Sequence, residues 1–145
     1  MHVLFATAEM EPLVSTGGLG AASAGLVAAL RRDGVRVTPV LPGYRPWELV
    51  GERVLQLTVP AWAGPAVARI GTVPGLGEVA VIDAPSLPRP HPYVDPETGK
   101  PDPRPEIFQQ FLPVIKQSTD AVINISTGGG LGMTMDQRLL AATTA

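Results

Sequence analysis

The chain has 145 residues, 45% of them hydrophobic, a net charge of −2 and no cysteine. That length suits one core of ordinary domain size; divided in two, each half would be too small to bury a stable one. The charge balance leaves no basic stripe for nucleic acid, the apolar runs are too short to span a membrane as a helix, and disulfides and thiolate metal sites are excluded.

In chain order, His2 to Ala8 is a short apolar run bounded by polar residues and predicts a strand buried on both faces of a parallel sheet. Gly17-Gly18-Leu19-Gly20 breaks the chain, and Ala21 to Arg32 predicts a helix. Its apolar stripe is Leu19, Ala22, Leu26 and Leu30, with Asp33-Gly34 as the stop. Val35 to Leu41 is a strand, although Pro39 lacks a ladder donor and favours an edge or a bulge. Val54 to Val59, Val67 to Thr72 and Val79 to Ile82 read as three further strands between Pro- and Gly-containing turns. Pro85 to Pro105 holds eight prolines in twenty-one residues and predicts an extended, weakly packed connection. Beyond it, Pro105 to Gln117 predicts a helix kinked at Pro113, Asp120 to Ile125 a second buried strand, and Met135 to Ala142 a short capped helix.

This alternation predicts one α/β domain over residues 1–145: a three-layer, Rossmann-like unit with a mainly parallel sheet and an internal seam at about 85–105. Asp120 to Ile125 is expected to pair in parallel beside His2 to Ala8, placing two glycine-rich turns along one sheet edge. Met1 to Phe5 carries no basic leader and is followed by Glu9 and Glu11, so a cytoplasmic address is expected.

Two constellations could bind ligands. The first is Ser15, Thr16, Gly17, Gly18, Leu19 and Gly20. Glycines let backbone amides approach an anion, and the helix that follows aims its positive end at it, as a diphosphate would require. The same glycines also serve a bare strand-to-helix turn, and the spacing is not the dinucleotide fingerprint. The second is Ser126, Thr127, Gly128, Gly129 and Gly130, where two hydroxyls and free amides at a strand end could hold a small carboxylate, or simply close a turn. Glu9, Glu11, Asp95 and Glu97 are read as solvated acids, and neither a metal site nor a resident cofactor is expected.

Val3-Leu4-Phe5, Thr7-Ala8-Glu9, Pro12-Leu13, Thr16-Gly17-Gly18-Leu19-Gly20 and Leu41-Pro42-Gly43-Tyr44 match, in order and spacing, the amino-terminal end of bacterial glycogen and starch synthases. On these motifs residues 1–93 resemble that family. The resemblance implies a two-domain glycosyltransferase several times this length, in which the glycine loop contacts the diphosphate of ADP-glucose. Members commonly carry a lysine before the run and an aspartate after it; here stand Ser15 and Ala21, so nucleotide-sugar affinity is expected to be weak.

Residues 95–145, through Asp95-Pro96-Glu97-Thr98-Gly99-Lys100 and Asn124-Ile125-Ser126-Thr127-Gly128-Gly129-Gly130, resemble an early segment of the zinc-dependent β-keto acid cleavage enzymes. That resemblance implies a substrate pocket at Ser126 and Thr127. It also implies a His-x-His zinc pair, whose positions are here Pro90 and Pro92. The chain is read as a hybrid: a truncated nucleotide-sugar domain, catalytically incomplete and with no catalytic residue assigned. The alternatives are a cleavage-enzyme fragment without its metal ligands and a non-catalytic binding or scaffold module. Oligomeric state is not legible.

Overall fold

The computed structural model describes residues 1–59, 61, 64–95 and 97–100, with the backbone of 122–126. Within these lie strands β1 (His2–Thr7), β2 (Arg36–Pro42), β3 (Val50–Leu57), β4 (Ala66–Val73), β5 (Gly77–Asp83) and β6 (Val122–Ser126), and helix α1 (Gly18–Arg32). The strands form one mixed sheet in the order β3-β4-β5-β2-β1-β6. The helices expected at Pro105 to Gln117 and Met135 to Ala142 fall outside the described residues, as do Thr127, Gly128, Gly129 and Gly130.

The centre of the sheet is parallel: β1 pairs with β2 and β6, and β2 with β5. The expected neighbour of β1 is present, in register from Val3↔Val122 to Thr7↔Ser126. The flank differs from a mainly parallel sheet, because β3–β4 and β4–β5 are antiparallel. Pro74 to Leu76 alone separate β4 from β5, whereas a parallel return needs a crossover of about a dozen residues or more. Pro39 lies inside β2 rather than at an edge. Its register partner is Phe5, and the ladder to β5 begins one residue later at Val40, beyond the missing donor.

Strand alternation divides the core into two faces. Val3 and Phe5 of β1, Val37 and Leu41 of β2, and Val79 and Val81 of β5 pack with Val27, Ala24 and Leu30 of α1. Leu4 and Ala6, Val40, and Ala80 and Ile82 point to the other side, where Leu57, Ala66, Ala68 and Leu87 join them. Strands β1, β2 and β5 are thus buried on both faces, as the apolar runs predict.

Helix α1 starts earlier than expected and its fully buried positions are Gly20, Ser23 and Val27; of the expected stripe Leu30 packs on the core, while Leu26 is 45% exposed. The small residues let the helix lie close to the loop and β1. A side chain at Gly20 would meet Ser15 Oγ at 2.7 Å, and Ser23 Oγ lies 3.4 Å from Thr7 Oγ1. The helix ends as the Asp33-Gly34 stop predicts. Gly34 at φ +83° donates to Arg31 O and Val35 to Leu30 O, with Val35 and Leu30 packed on the same core.

The described part of the proline-rich connection is packed rather than loose. Leu87 is fully buried, the Arg89 amide donates to Tyr44 O at 3.2 Å, and the Arg89 guanidinium lies 5.0 Å over the Tyr44 ring. Prolines remove backbone donors, but the side chains between them still supply anchors. The Asp95–Lys100 motif closes on itself: Gly99 N–H donates to Asp95 O and Asp95 N–H to Lys100 O.

Candidate functional site

Strand β1 delivers the chain to the carboxyl edge of the parallel sheet, beside the end of β6 at Ser126. The order runs from β1 to β2 and β5 on one side and to β6 on the other, so the crevice between β1 and β6 is a switch point of the sheet. Residues 10–14 then turn tightly, with Met10 and Val14 exchanging backbone hydrogen bonds at 3.0 Å, and Glu11 N–H donates to Gly20 O at 3.2 Å. Ser15, Thr16, Gly17 and Gly18 are exposed, Leu19 is half-buried and Gly20 buried. Gly17 precedes α1 in extended conformation, without a side-chain cap and with no acidic residue in the first turn. The first amides of an α-helix have no intrahelical partner, so this end offers donors and a positive dipole to an anion. The Ser15 hydroxyl donates to Gly17 O at 3.2 Å and shapes the turn.

Sequence reasoning missed the residue that organises this loop. Glu9, read as a solvated acid, is 2% exposed. Its Oε1 accepts the Thr16 amide and the Thr16 hydroxyl, the latter at 2.8 Å, and its Oε2 accepts the Tyr93 hydroxyl at 2.6 Å. Burial raises the Glu9 carboxyl, but the bonds from Tyr93 and Thr16 outweigh it and hold the group below the usual carboxylate range. Tyr93 is pushed well above the ordinary phenol range by burial and by Glu9, so it stays protonated and donates. The signal available in the sequence was an acid set between Ala8 and Met10 in an otherwise apolar run.

The second constellation is brought to the same edge only through the backbone of Ser126, opposite Thr7. The described residues do not fit zinc. His91 Nδ1 accepts the amides of Tyr93 and Val94 at 3.1 Å, His2 bonds Thr38 at 2.9 Å, and no cluster of three His, Asp or Glu side chains occurs among the described residues. A cavity of about 440 Å³ opens beyond β2 and β5, lined by Tyr44, Arg45, Val67, Arg69, Asp83 and Pro85. In it Arg69 pairs with Asp83 and with Glu52 at 3.0 Å, and donates to Trp47 O at 2.8 Å. No helix among the described residues is long and apolar enough to cross a membrane.

A family model of the starch synthase catalytic domain matches residues 2–118. Glycogen synthase of Ralstonia nicotianae is 40% identical over 100 residues, and that of Dechloromonas aromatica 38% over 105. These matches cover 66% and 69% of this chain but 18% and 21% of those enzymes, so the chain spans about a fifth of their length. The 3,5-dioxohexanoate:acetyl-CoA acetone transferase of Paraburkholderia graminis is 53% identical over 45 residues, 31% of this chain and 14% of that protein. The catalytic domain of starch synthase IV from Arabidopsis thaliana, solved with ADP and acarbose, superposes with a TM-score of 0.67 at 25% identity. It covers 86% of this chain and 27% of that one. Both resemblances read from the motifs are therefore found, and the larger one is decisive: the chain belongs to the starch synthase catalytic domain family.

Proposed function

We propose that this chain is the donor-binding portion of a glycogen or starch synthase-type glycosyltransferase, receiving the diphosphate of a nucleotide sugar such as ADP-glucose at Ser15, Thr16, Gly17, Gly18, Leu19 and Gly20. The observation that carries the reading is an uncapped helix end opening from a glycine turn at the switch point of a partly parallel sheet. The ADP held by the Arabidopsis relative supports the same ligand class. Burial of the core face opposite α1 supports a three-layer, Rossmann-like unit over residues 1–145, and a cytoplasmic address belongs to the same reading.

Binding is weak, because Ser15 stands where a lysine would pair with phosphate, and the chain alone is catalytically incomplete. Glucosyl transfer requires a second domain to exclude water and stabilise the leaving diphosphate. Calorimetry with ADP-glucose tests the assignment. Ser15→Lys adds one charge-assisted contact and tightens binding by about 1.5–3 kcal/mol; equal affinities for the two proteins would refute a diphosphate at this loop.

The match to the acetone transferase supports a second reading of the carboxyl-terminal part. In it Ser126, Thr127, Gly128, Gly129 and Gly130 form a pocket for a small carboxylate, without the metal that carbon–carbon cleavage requires.

A further inference from the structure

We propose that Glu9 is the positioning residue of the glycine loop, a strut that couples Thr16 to Tyr93 and makes the loop's geometry depend on a side chain 84 positions away in sequence. This rests on the reading of Ser15 to Gly20 as the diphosphate site and names what holds that site in shape.

The strut is fixed at both ends. At the main chain, Thr7 Oγ1 donates to Glu9 O at 2.8 Å and accepts Glu9 N–H at 3.3 Å, so the end of β1 sets where the side chain begins. At the carboxylate, the two oxygens serve different partners, Oε1 both donors of Thr16 and Oε2 the hydroxyl of Tyr93. A buried carboxylate is tolerated only when its lone pairs are met, so a donor lost on one oxygen forces the group to turn or to draw in water. Turning it moves the oxygen that Thr16 depends on. Thr16 immediately precedes Gly17, the residue just before α1, so a displaced Thr16 displaces the helix-end amides that would face a phosphate. Tyr93 lies in the connection anchored by Leu87 and Arg89. The loop is thereby tied to that connection as well as to the sheet.

Amide hydrogen exchange on the full chain, followed residue by residue, tests the coupling without any ligand. Tyr93→Phe removes one oxygen, keeps the ring and touches nothing on Thr16. It is expected to speed exchange at the Thr16 amide about tenfold while the amides of β1 and β2 keep their rates. Glu9→Gln gives the same pattern, and Thr16→Ser, which keeps both donors, leaves exchange near the parent value. Unchanged exchange at Thr16 in Tyr93→Phe would overturn the proposal, as would an equal rise across β1 and β2, which would mean general loosening. An ADP titration of the same proteins separates the two readings. Weaker ADP binding in Tyr93→Phe extends the coupling to the ligand. Local exchange that rises in a protein with no ADP affinity leaves Glu9 as the strut and removes the nucleotide assignment.

Discussion

The loop after β1 and the cavity beyond β2 and β5 lie at the same carboxyl edge of the sheet, yet they handle charge in opposite ways. In the cavity, Arg69 is shared among Asp83, Glu52 and Trp47 O, so that cation is answered within the protein, while Arg45 on the same lining reaches Pro90 O at 3.5 Å. In the loop, the Glu9 carboxylate takes Thr16 and Tyr93 and reaches the Gly17 amide, while α1 has no side-chain cap and no acidic residue in its own first turn. The cavity is a hollow of about 440 Å³, whereas the loop presents the amides of the first turn of α1, which have no intrahelical partner. Ligand chemistry follows unmatched donors and acceptors, with volume as a secondary condition.

The comparison breaks most visibly at Arg69. Arg69→Met removes a side chain only 14% exposed and leaves Asp83 facing an apolar neighbour. We expect a loss of about 2–3 kcal/mol in urea unfolding, below the 3–5 of a fully buried pair because Asp83 is 38% exposed. ADP affinity should be unchanged. A loss of affinity with little loss of stability would transfer the ligand to the cavity.

A smaller effect sharpens the other side. Glu9 is held below its ordinary value, so its contribution to stability is complete above the usual carboxylate range and disappears as pH falls through the depressed value. Glu9→Gln should therefore cost on the order of 1 kcal/mol at neutral pH and flatten the acid limb of the stability curve. Parallel acid limbs for the two proteins, measured by denaturant unfolding across pH, would place the carboxyl in solvent.

Much of the fold is legible because it rests on local pattern. The apolar runs at His2 to Ala8, Val67 to Thr72 and Val79 to Ile82 have room only for strands, and Asp33-Gly34 marks the helix end through glycine's access to positive φ. The pairing of β1 with β6 follows from two apolar runs that each lead into a glycine-rich turn in the sequence. What escapes the pattern depends on distant partners. The buried stripe of α1 runs through Gly20 and Ser23, since close approach selects small residues where periodicity selects leucines. Antiparallel β4 and β5 are fixed by the length of one turn. In the site, the glycines of the loop are visible from sequence, whereas Glu9 looks like a surface acid until Tyr93 is brought onto it by the packed connection. Prolines there conceal the anchors Leu87 and Arg89.

The central claim is that the donors at the start of α1, and not the cavity beyond β2 and β5, receive the nucleotide diphosphate. Backbone NMR of the labelled chain during an ADP titration tests it directly. The account predicts saturable shifts at the amides of Thr16, Gly17, Gly18, Leu19 and Gly20, with Tyr44, Arg69 and Asp83 unmoved. Saturable shifts around Tyr44, Arg69 and Asp83 with a silent loop would contradict it.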